Sequence, residues 1–232
     1  MHNNIDFIIS LGGDCRPAHH LKRNNLRLAA NPFDWMMRYT LANVTDIINT
    51  RFKTFFRDIY EDTTKKTRNG YRYIIDKNNR FVSIHHFKKN IDIYSQYDDF
   101  YDKMKFRFYR MLEYINRSES VMFLCNRNED TSNFEQFIKS MSEIFDKKYL
   151  FVNMRHHDDK STITKRCYNI TEKANIIEYF FYDVHRNGST GHSDYWMGHS
   201  DNWDIILSEY KLSTLFSIQK PICEAGCCHM DN

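Results

Sequence analysis

The sequence is poor in the residues that form tight turns. It contains 7 Gly and 3 Pro among 232 residues, whereas these two types together make up roughly 12% of an ordinary chain. A sandwich or barrel of many short strands needs such residues at most of its connections. Their scarcity argues against those folds and favours a helix-rich or mixed α/β architecture.

The chain also lacks an excess of charge of one sign and any long apolar run. Its 33 Lys and Arg against 30 Asp and Glu give a net charge of +3. These charges are interspersed, so we expect no nucleic-acid partner. No apolar stretch approaches the roughly 18 residues that cross a bilayer, and the first residues lack the basic and apolar regions of a signal peptide. We therefore expect a cytoplasmic protein with no membrane partner.

The cysteines lack the spacing of a metal site. They are Cys15, Cys125, Cys167, Cys223, Cys227 and Cys228, with no CxxC pair among them. In a cytoplasmic protein they are expected to be free thiols. His192, Asp194 and His199 also lack a fixed ligand spacing. The sequence therefore predicts no metal and no cofactor.

Apolar patterning predicts alternating strands and helices. Strands are predicted over residues 6–11, 121–125, 149–153 and 176–181, a hairpin over 71–76 and 81–87, and helices over 17–25, 41–50, 98–115, after a capping box at 132–135, and over 203–210. This order is typical of a parallel sheet with helices on both faces. We predict an α/β fold, a single three-layer domain over residues 1–219 with a mostly parallel central sheet plus a β-hairpin. A weakly ordered Cys-rich tail over 220–232 would follow.

Ligands of an open parallel sheet bind beyond the carboxyl ends of its strands. Side chains that can act as nucleophiles, bases or hydrogen-bond donors follow the predicted strand ends. They are Cys15, His85, His86, Asn126, Arg127, Arg155, His156 and His157. A thiol, several imidazoles and guanidinium groups on one rim can form a nucleophilic site.

Cys15 stands where the Gly12-Gly13 turn meets the predicted start of a helix. The helix dipole and the unpaired amides at such a position stabilise a thiolate, which predicts a nucleophile with a lowered pKa. The amides after Gly13 would bind a developing oxyanion. The alternative interpretation is a small buried side chain beside a tight turn.

A thiol nucleophile needs a general base and a group that orients this base. His85 or His86 is the candidate base, and Asp34 or Asp201 is the candidate orienting carboxylate. Alternatively, Ser200 or Asp201 caps the last helix. Substrate contacts are expected from Gly12, Gly13, Asp14, Trp35, Arg127 and His199.

Two N-terminal motifs resemble a known family. Residues 9–15, Ile-Ser-Leu-Gly-Gly-Asp-Cys, and 31–35, Asn-Pro-Phe-Asp-Trp, are similar to the opening of the DUF1796 family, described as papain-like cysteine peptidases. That family continues with a His-Asp-Phe triplet, a basic amphipathic helix and a hydrophobic strand. Here His85-His86-Phe87 resembles the triplet, and the resemblance covers about residues 5–210. It implies that Cys15 is the nucleophile and His85 the base, while His86 stands where the family has Asp.

Three functions follow as alternatives. A thiol hydrolase or acyltransferase acting on an unidentified peptide, ester or glycan is favoured over a peptidase. The reason is that Cys15 and His85 are 70 residues apart, against roughly 130 in papain-type enzymes. The second alternative is an SGNH-like carbohydrate esterase or transferase with Cys15 in place of the usual Ser. The third is a non-catalytic α/β binding module whose recognition surface contains Trp35, Trp196 and Trp203.

Overall fold

The computed structural model describes residues 3–67, 70–184 and 195–213. Its helices are α1 (Arg16–Arg23), α2 (Leu41–Asn49), α3 (Ile93–Arg117), α4 (Thr131–Ile144) and α5 (Ser200–Leu207). Its strands are β1 (Asn3–Ile5), β2 (Phe7–Ser10), β3 (Met36–Met37), β4 (Ile59–Glu61), β5 (Ile74–Asp76), β6 (Val82–Ser83), β7 (Ser120–Cys125), β8 (Lys148–His156), β9 (Thr164–Thr171), β10 (Ala174–Phe181) and β11 (Tyr210–Leu212). A short 3-10 turn, Tyr195–Met197, precedes α5.

The central sheet has five strands in the order β2-β7-β8-β10-β9. The first four are parallel, with Val121 opposite Phe7 on one side and Tyr149 on the other. Only β9 runs antiparallel, on β10. The predicted α/β class with a mostly parallel sheet is thereby confirmed.

Helices cover both faces of this sheet because its inner strands are apolar on both sides. Phe123 of β7 joins the larger core with α2, α3 and α4. Its neighbours Met122 and Leu124 point the other way and join a smaller core with α1 and α5. Alternation along one strand thus supplies both cores and produces three layers.

A second sheet, β3-β6-β5-β4, is antiparallel and contains the predicted hairpin as β5 and β6. The hairpin turn works without glycine. The carboxylate of Asp76 accepts the amides of Asn78 and Asn79 at 3.0 and 3.3 Å. Arg80 then takes a left-handed φ of 62°.

Some predicted details are wrong. The capping box at 132–135 does not open α4, since the N-cap residue is Asp130 and no side chain caps this helix. Tyr210 begins β11, which pairs with β1, and does not continue the last helix. Strand β9 was not predicted because most of its residues are exposed, so no alternation marks it.

Several predictions fall outside the described residues. His192, Asp194 and the tail 220–232 belong to these, so the division at residue 219 stays a prediction. Within residues 3–67, 70–184 and 195–213, no group of three or more potential metal-ligating side chains occurs. No helix in the same ranges combines the length and the apolar character needed to cross a bilayer.

Candidate active site

The predicted thiol and imidazole lie next to each other. Cys15 follows the turn after β2 and is the N-cap residue of α1. His85 lies just beyond β6 of the second sheet. Sγ of Cys15 and Nε2 of His85 are 3.5 Å apart, although the residues are separated by 70 positions. This proximity arises where the carboxyl end of the central sheet meets the second sheet.

A side chain after β7 holds the turn that carries Cys15. Oδ1 of Asn126 accepts the amide of Gly13 at 3.1 Å, and its Nδ2 donates to Asp14 at 2.9 Å. The same Asp14 oxygen accepts the amide of Arg16 at 2.9 Å. Asn126 and the start of α1 therefore fix the turn from two sides.

Gly12 must remain a glycine for packing reasons. A Cβ there would lie 2.6 Å from Cγ of Pro17, in the first turn of α1. Its neighbour Gly13 is half-buried. The Gly12 side of the turn is thus packed against the helix, which allows α1 to begin close to the end of β2.

Two amides of this turn are available to bind an oxyanion. The amides of Gly13 and Arg16 already donate to side chains. Within the described part of the chain the amide of Asp14 donates to no protein group, and the amide of Cys15 interacts with its own sulfur, which partly offsets the rise in the pKa of the thiol. Both amides follow Gly13, where the oxyanion donors were predicted from the sequence.

The sulfur is a thiol and not the thiolate predicted from the helix position. Burial, together with the negative charges of Asp14 and Asp34, raises the pKa of Cys15 to about 12. Only 9% of Cys15 is exposed, so the desolvation of an anion outweighs the helix field. The prediction of a lowered pKa is therefore wrong.

Burial favours the neutral form of the His85 imidazole. The residue remains exposed in part, but burial of its ring lowers its pKa below the usual value. A thiol and a neutral imidazole in contact can transfer a proton at the moment of attack, with Nε2 as the acceptor.

His86 is placed differently, which separates the two candidate bases. Its Nδ1 lies 2.7 Å from Oγ of Ser83, and its ring packs 5.2 Å from that of Phe100. Burial, then the charge of Arg107, lowers the pKa of His86 to about 3. His86 is therefore part of the packing beneath the site, and only His85 contacts the sulfur.

Asp34 does not orient the imidazole. Its Oδ2 accepts both Nε and Nη2 of Arg27, at 3.1 and 2.7 Å, and the amide of Asn31 at 2.9 Å. Its side chain is 1% exposed. The carboxylate instead ties the loop before β3 together, which corrects its predicted role.

Asp201, the second candidate for the orienting carboxylate, also makes no hydrogen bond to the His85 imidazole in the described part of the chain. Asp201 is the second residue of α5, and His199 is the N-cap residue of this helix without capping through its side chain. The amide of His199 donates to Oδ1 of Asp183 at 3.0 Å. In the described ranges no carboxylate hydrogen-bonds to His85, so the predicted orienting role of Asp201 is not found.

Arg127 supports the turn that follows β2 from inside the protein. Its side chain is 4% exposed. Nε donates to the carbonyl of Leu11 at 2.7 Å, while Nη1 donates to the carbonyl of Tyr39 and to Glu129, both at 2.7 Å. The guanidinium also lies 4.4 Å from the centre of the Tyr39 ring. These contacts occupy three of its five N–H donors and hold the guanidinium inside the protein, so a contact between Arg127 and a substrate stays a prediction.

Aromatic rings surround His85. The rings of Trp35 and Tyr71 lie 6.0 and 6.4 Å from it, between ring centres. The ring of Trp196 lies 6.4 Å from that of Trp35. Trp203, by contrast, is fully buried in the smaller core, so it cannot form a recognition surface.

No role was predicted for Asp183, which organises the far side of the site. Its carboxylate accepts Nη1 of Arg16 at 2.6 Å and the indole N–H of Trp203 at 2.9 Å. Asp183 stands just beyond β10, so the rule that selected Cys15 and Asn126 could also have found it.

The fold and the site define the chain as an α/β protein with a thiol and an imidazole in contact at the carboxyl end of its sheet. A family model described as "Putative papain-like cysteine peptidase (DUF1796)" matches residues 6–156. The chain belongs to this family, whose match runs from β2 to the end of β8. No curated protein and no solved structure matches the chain significantly.

Proposed function

We propose that the protein is a thiol-dependent hydrolase or acyltransferase with Cys15 as nucleophile and His85 as general base. The 3.5 Å separation of Sγ and Nε2 carries this proposal. A binding module with a structural cysteine would not need an imidazole at that position. Membership of a family described as papain-like cysteine peptidases supports the same class of chemistry.

The resting pair is neutral, so proton transfer accompanies attack. Sγ of Cys15 forms a bond to the substrate carbonyl carbon while its proton moves to Nε2 of His85. The oxyanion accepts the amides of Asp14 and Cys15. The tetrahedral intermediate then expels the leaving group, which takes the proton from Nε2, and a thioester remains on Cys15.

The second half of the reaction regenerates the thiol. Water, or another acceptor hydroxyl or amine, bonds to the thioester carbon and gives its proton to Nε2 of His85. Sulfur leaves and recovers this proton. His85 thus acts as base and then as acid in each half, which requires Nε2 to be unprotonated at rest.

Acyl transfer from p-nitrophenyl acetate tests the proposal. We expect release of p-nitrophenol and an acetyl group on Cys15, identified by mass spectrometry after an acid quench. Cys15→Ser should abolish the adduct, and His85→Ala should slow its formation by about 10²-fold or more.

Cys167→Ser is the matched control, because Cys167 is an exposed free cysteine on β9. It should leave the rate unchanged. Acetylation of Cys167 in preference to Cys15, or an unchanged rate in a folded His85→Ala variant, would contradict the proposal.

A further inference from the structure

The thiol–imidazole pair is bordered by aromatic surface. Trp35 meets His85 edge to face, with ring centres 6.0 Å apart at 78°, and Trp196 meets Trp35 at 6.4 Å and 64°. The ring of Tyr71 also lies near that of His85, with ring centres 6.4 Å apart. Trp35, Trp196 and Tyr71 are all half-buried, so each retains exposed ring surface. We call Trp35 and Trp196 the aromatic wall.

Trp196 is held in place by the residue that follows the nucleophile. Nε of Arg16 donates to the carbonyl of Trp196 at 2.8 Å, while Nη1 of Arg16 pairs with Asp183 at 2.6 Å. The Trp196 ring also packs against His19 on α1, with centres 4.9 Å apart. The position of Trp196 is thereby tied to the helix that begins at Cys15.

Trp35 has an unusual backbone that the fold maintains. Its φ is 65°, in the left-handed region that bulky residues avoid. The buried pair of Arg27 and Asp34 fixes the chain immediately before it. A strained backbone that over-determined packing preserves is a common feature of functional sites. Its effect here is to place a large ring beside His85.

The charges near the sulfur limit what this wall can accommodate. The carboxylate of Asp34 is paired with Arg27. The negative charge near the sulfur that stays uncompensated within the described residues is therefore that of Asp14, which acts on Cys15 electrostatically. The nearby guanidinium of Arg16 is already paired with Asp183, at 2.6 Å. An anionic group close to the sulfur would therefore be repelled, whereas a neutral ring would not.

We propose that the aromatic wall is the specificity site of this protein and that it selects substrates carrying a neutral aromatic group next to the reacting carbonyl. The inference rests on the proposed function, and it adds a residue, Trp196, that lies outside the family match at residues 6–156. Edge-to-face contacts with two indoles would orient such a ring and bring the carbonyl to the sulfur.

Alkylation of Cys15 by three chloroacetamides tests this specificity. The N-benzyl, N-methyl and N-(4-carboxybenzyl) compounds react by the same step, in which sulfur displaces chloride. Rates are divided by those with free glutathione. We expect the benzyl compound to react about tenfold faster than the methyl compound, and the carboxybenzyl compound to lose most of this advantage.

Trp196→Ala should remove most of the preference for the benzyl compound over the methyl compound, through a weaker KI for the benzyl compound. Trp196→Phe should restore much of the preference. Tyr94→Ala is the control, because Tyr94 is a 78% exposed aromatic residue on α3, and it should change nothing. Equal corrected rates for benzyl and methyl compounds in the wild type would overturn the inference.

A binding experiment separates this inference from the proposed function. In Cys15→Ala protein, N-(4-fluorobenzyl)acetamide should broaden in fluorine NMR, and the added Trp196→Ala change should abolish the broadening. Binding of the fluorobenzyl compound without acetylation of Cys15 by p-nitrophenyl acetate would support the aromatic site and contradict the proposed function. Acetylation of Cys15 with no binding and no preference for the benzyl compound would support the proposed function and contradict the aromatic site.

Discussion

At the scale of single residues, the protonation state of Cys15 depends on burial. A cysteine at a helix start is expected to ionise easily, but here the first amide of α1 donates to Asp14 at 2.9 Å and not to the sulfur. The same carboxylate places a negative charge beside the thiol. Position along the chain therefore predicts a thiolate, while the surrounding groups produce a thiol.

The ultraviolet absorbance of the thiolate checks this state. The difference between wild type and Cys15→Ser isolates Cys15 from the other cysteines. Since burial raises the pKa of Cys15 to about 12, we expect no thiolate signal between pH 6 and 9. A midpoint at or below the ordinary value of about 8.5 would show that the helix field dominates.

The pH dependence of acyl transfer reports on His85. The imidazole must be neutral to accept the thiol proton, and burial lowers its pKa below 6.5. The rate with p-nitrophenyl acetate should therefore fall at acid pH with a midpoint below pH 6.5. A midpoint above pH 6.5 would mean that a carboxylate stabilises the imidazolium form of His85. In the His85→Ala variant the decline of the rate at acid pH should disappear.

At the scale of elements, the site is formed by strand ends, and this explains what the sequence could and could not predict. Cys15 and Asn126 follow apolar runs that are evident strands, so the carboxyl-end rule locates them. Arg127 obeys the same rule but turns inward, because the carbonyls of Leu11 and Tyr39 need donors. Local patterns do not contain the position of such distant carbonyls.

The link between β2 and β7 can be tested at Asn126. Asn126→Ala removes the hydrogen bonds to Gly13 and Asp14. We expect a loss of about 1–2 kcal/mol in the free energy of unfolding and a fall of about tenfold in the acylation rate, since the amides that bind the oxyanion would no longer be fixed.

Ser142→Ala on α4 is a control for this change, because it removes one hydrogen bond, to the carbonyl of Ile138 at 2.9 Å, away from the site. Because Ala is the better helix former and Ser142 is exposed, we expect little loss of stability and an unchanged acylation rate. If Asn126→Ala lowered stability but left the rate unaltered, the turn would not depend on Asn126 for its catalytic geometry.

At the scale of the whole molecule, the packing on each side of the central sheet contains a histidine that folding keeps neutral. His20 of α1 stacks on Trp203 with ring centres 4.5 Å apart, and burial lowers its pKa to about 4. His86 lies against α3 on the other side, where burial lowers its pKa to about 3. Both packing layers are therefore linked to proton uptake on unfolding.

The sign of this linkage predicts acid sensitivity. Below pH 6.5 the unfolded chain protonates both residues, while the folded chain does not until pH 4 or lower. The free energy of unfolding should therefore fall by up to about 1.4 kcal/mol per pH unit for each histidine as the pH drops from 6.5 towards 4. Urea unfolding at several pH values measures the slope.

Replacing one of the two histidines should reduce that slope by up to about 1.4 kcal/mol per pH unit. His86→Asn removes the proton uptake on the α3 side, whereas His157→Asn changes a residue that is exposed after β8 and serves as the control. If stability were constant between pH 6.5 and 4.5, the two rings would have to be protonated in the folded protein. Their neighbours speak against this, because Arg107 and Lys103 repel a charge on His86 and the face of His20 is covered by the indole of Trp203.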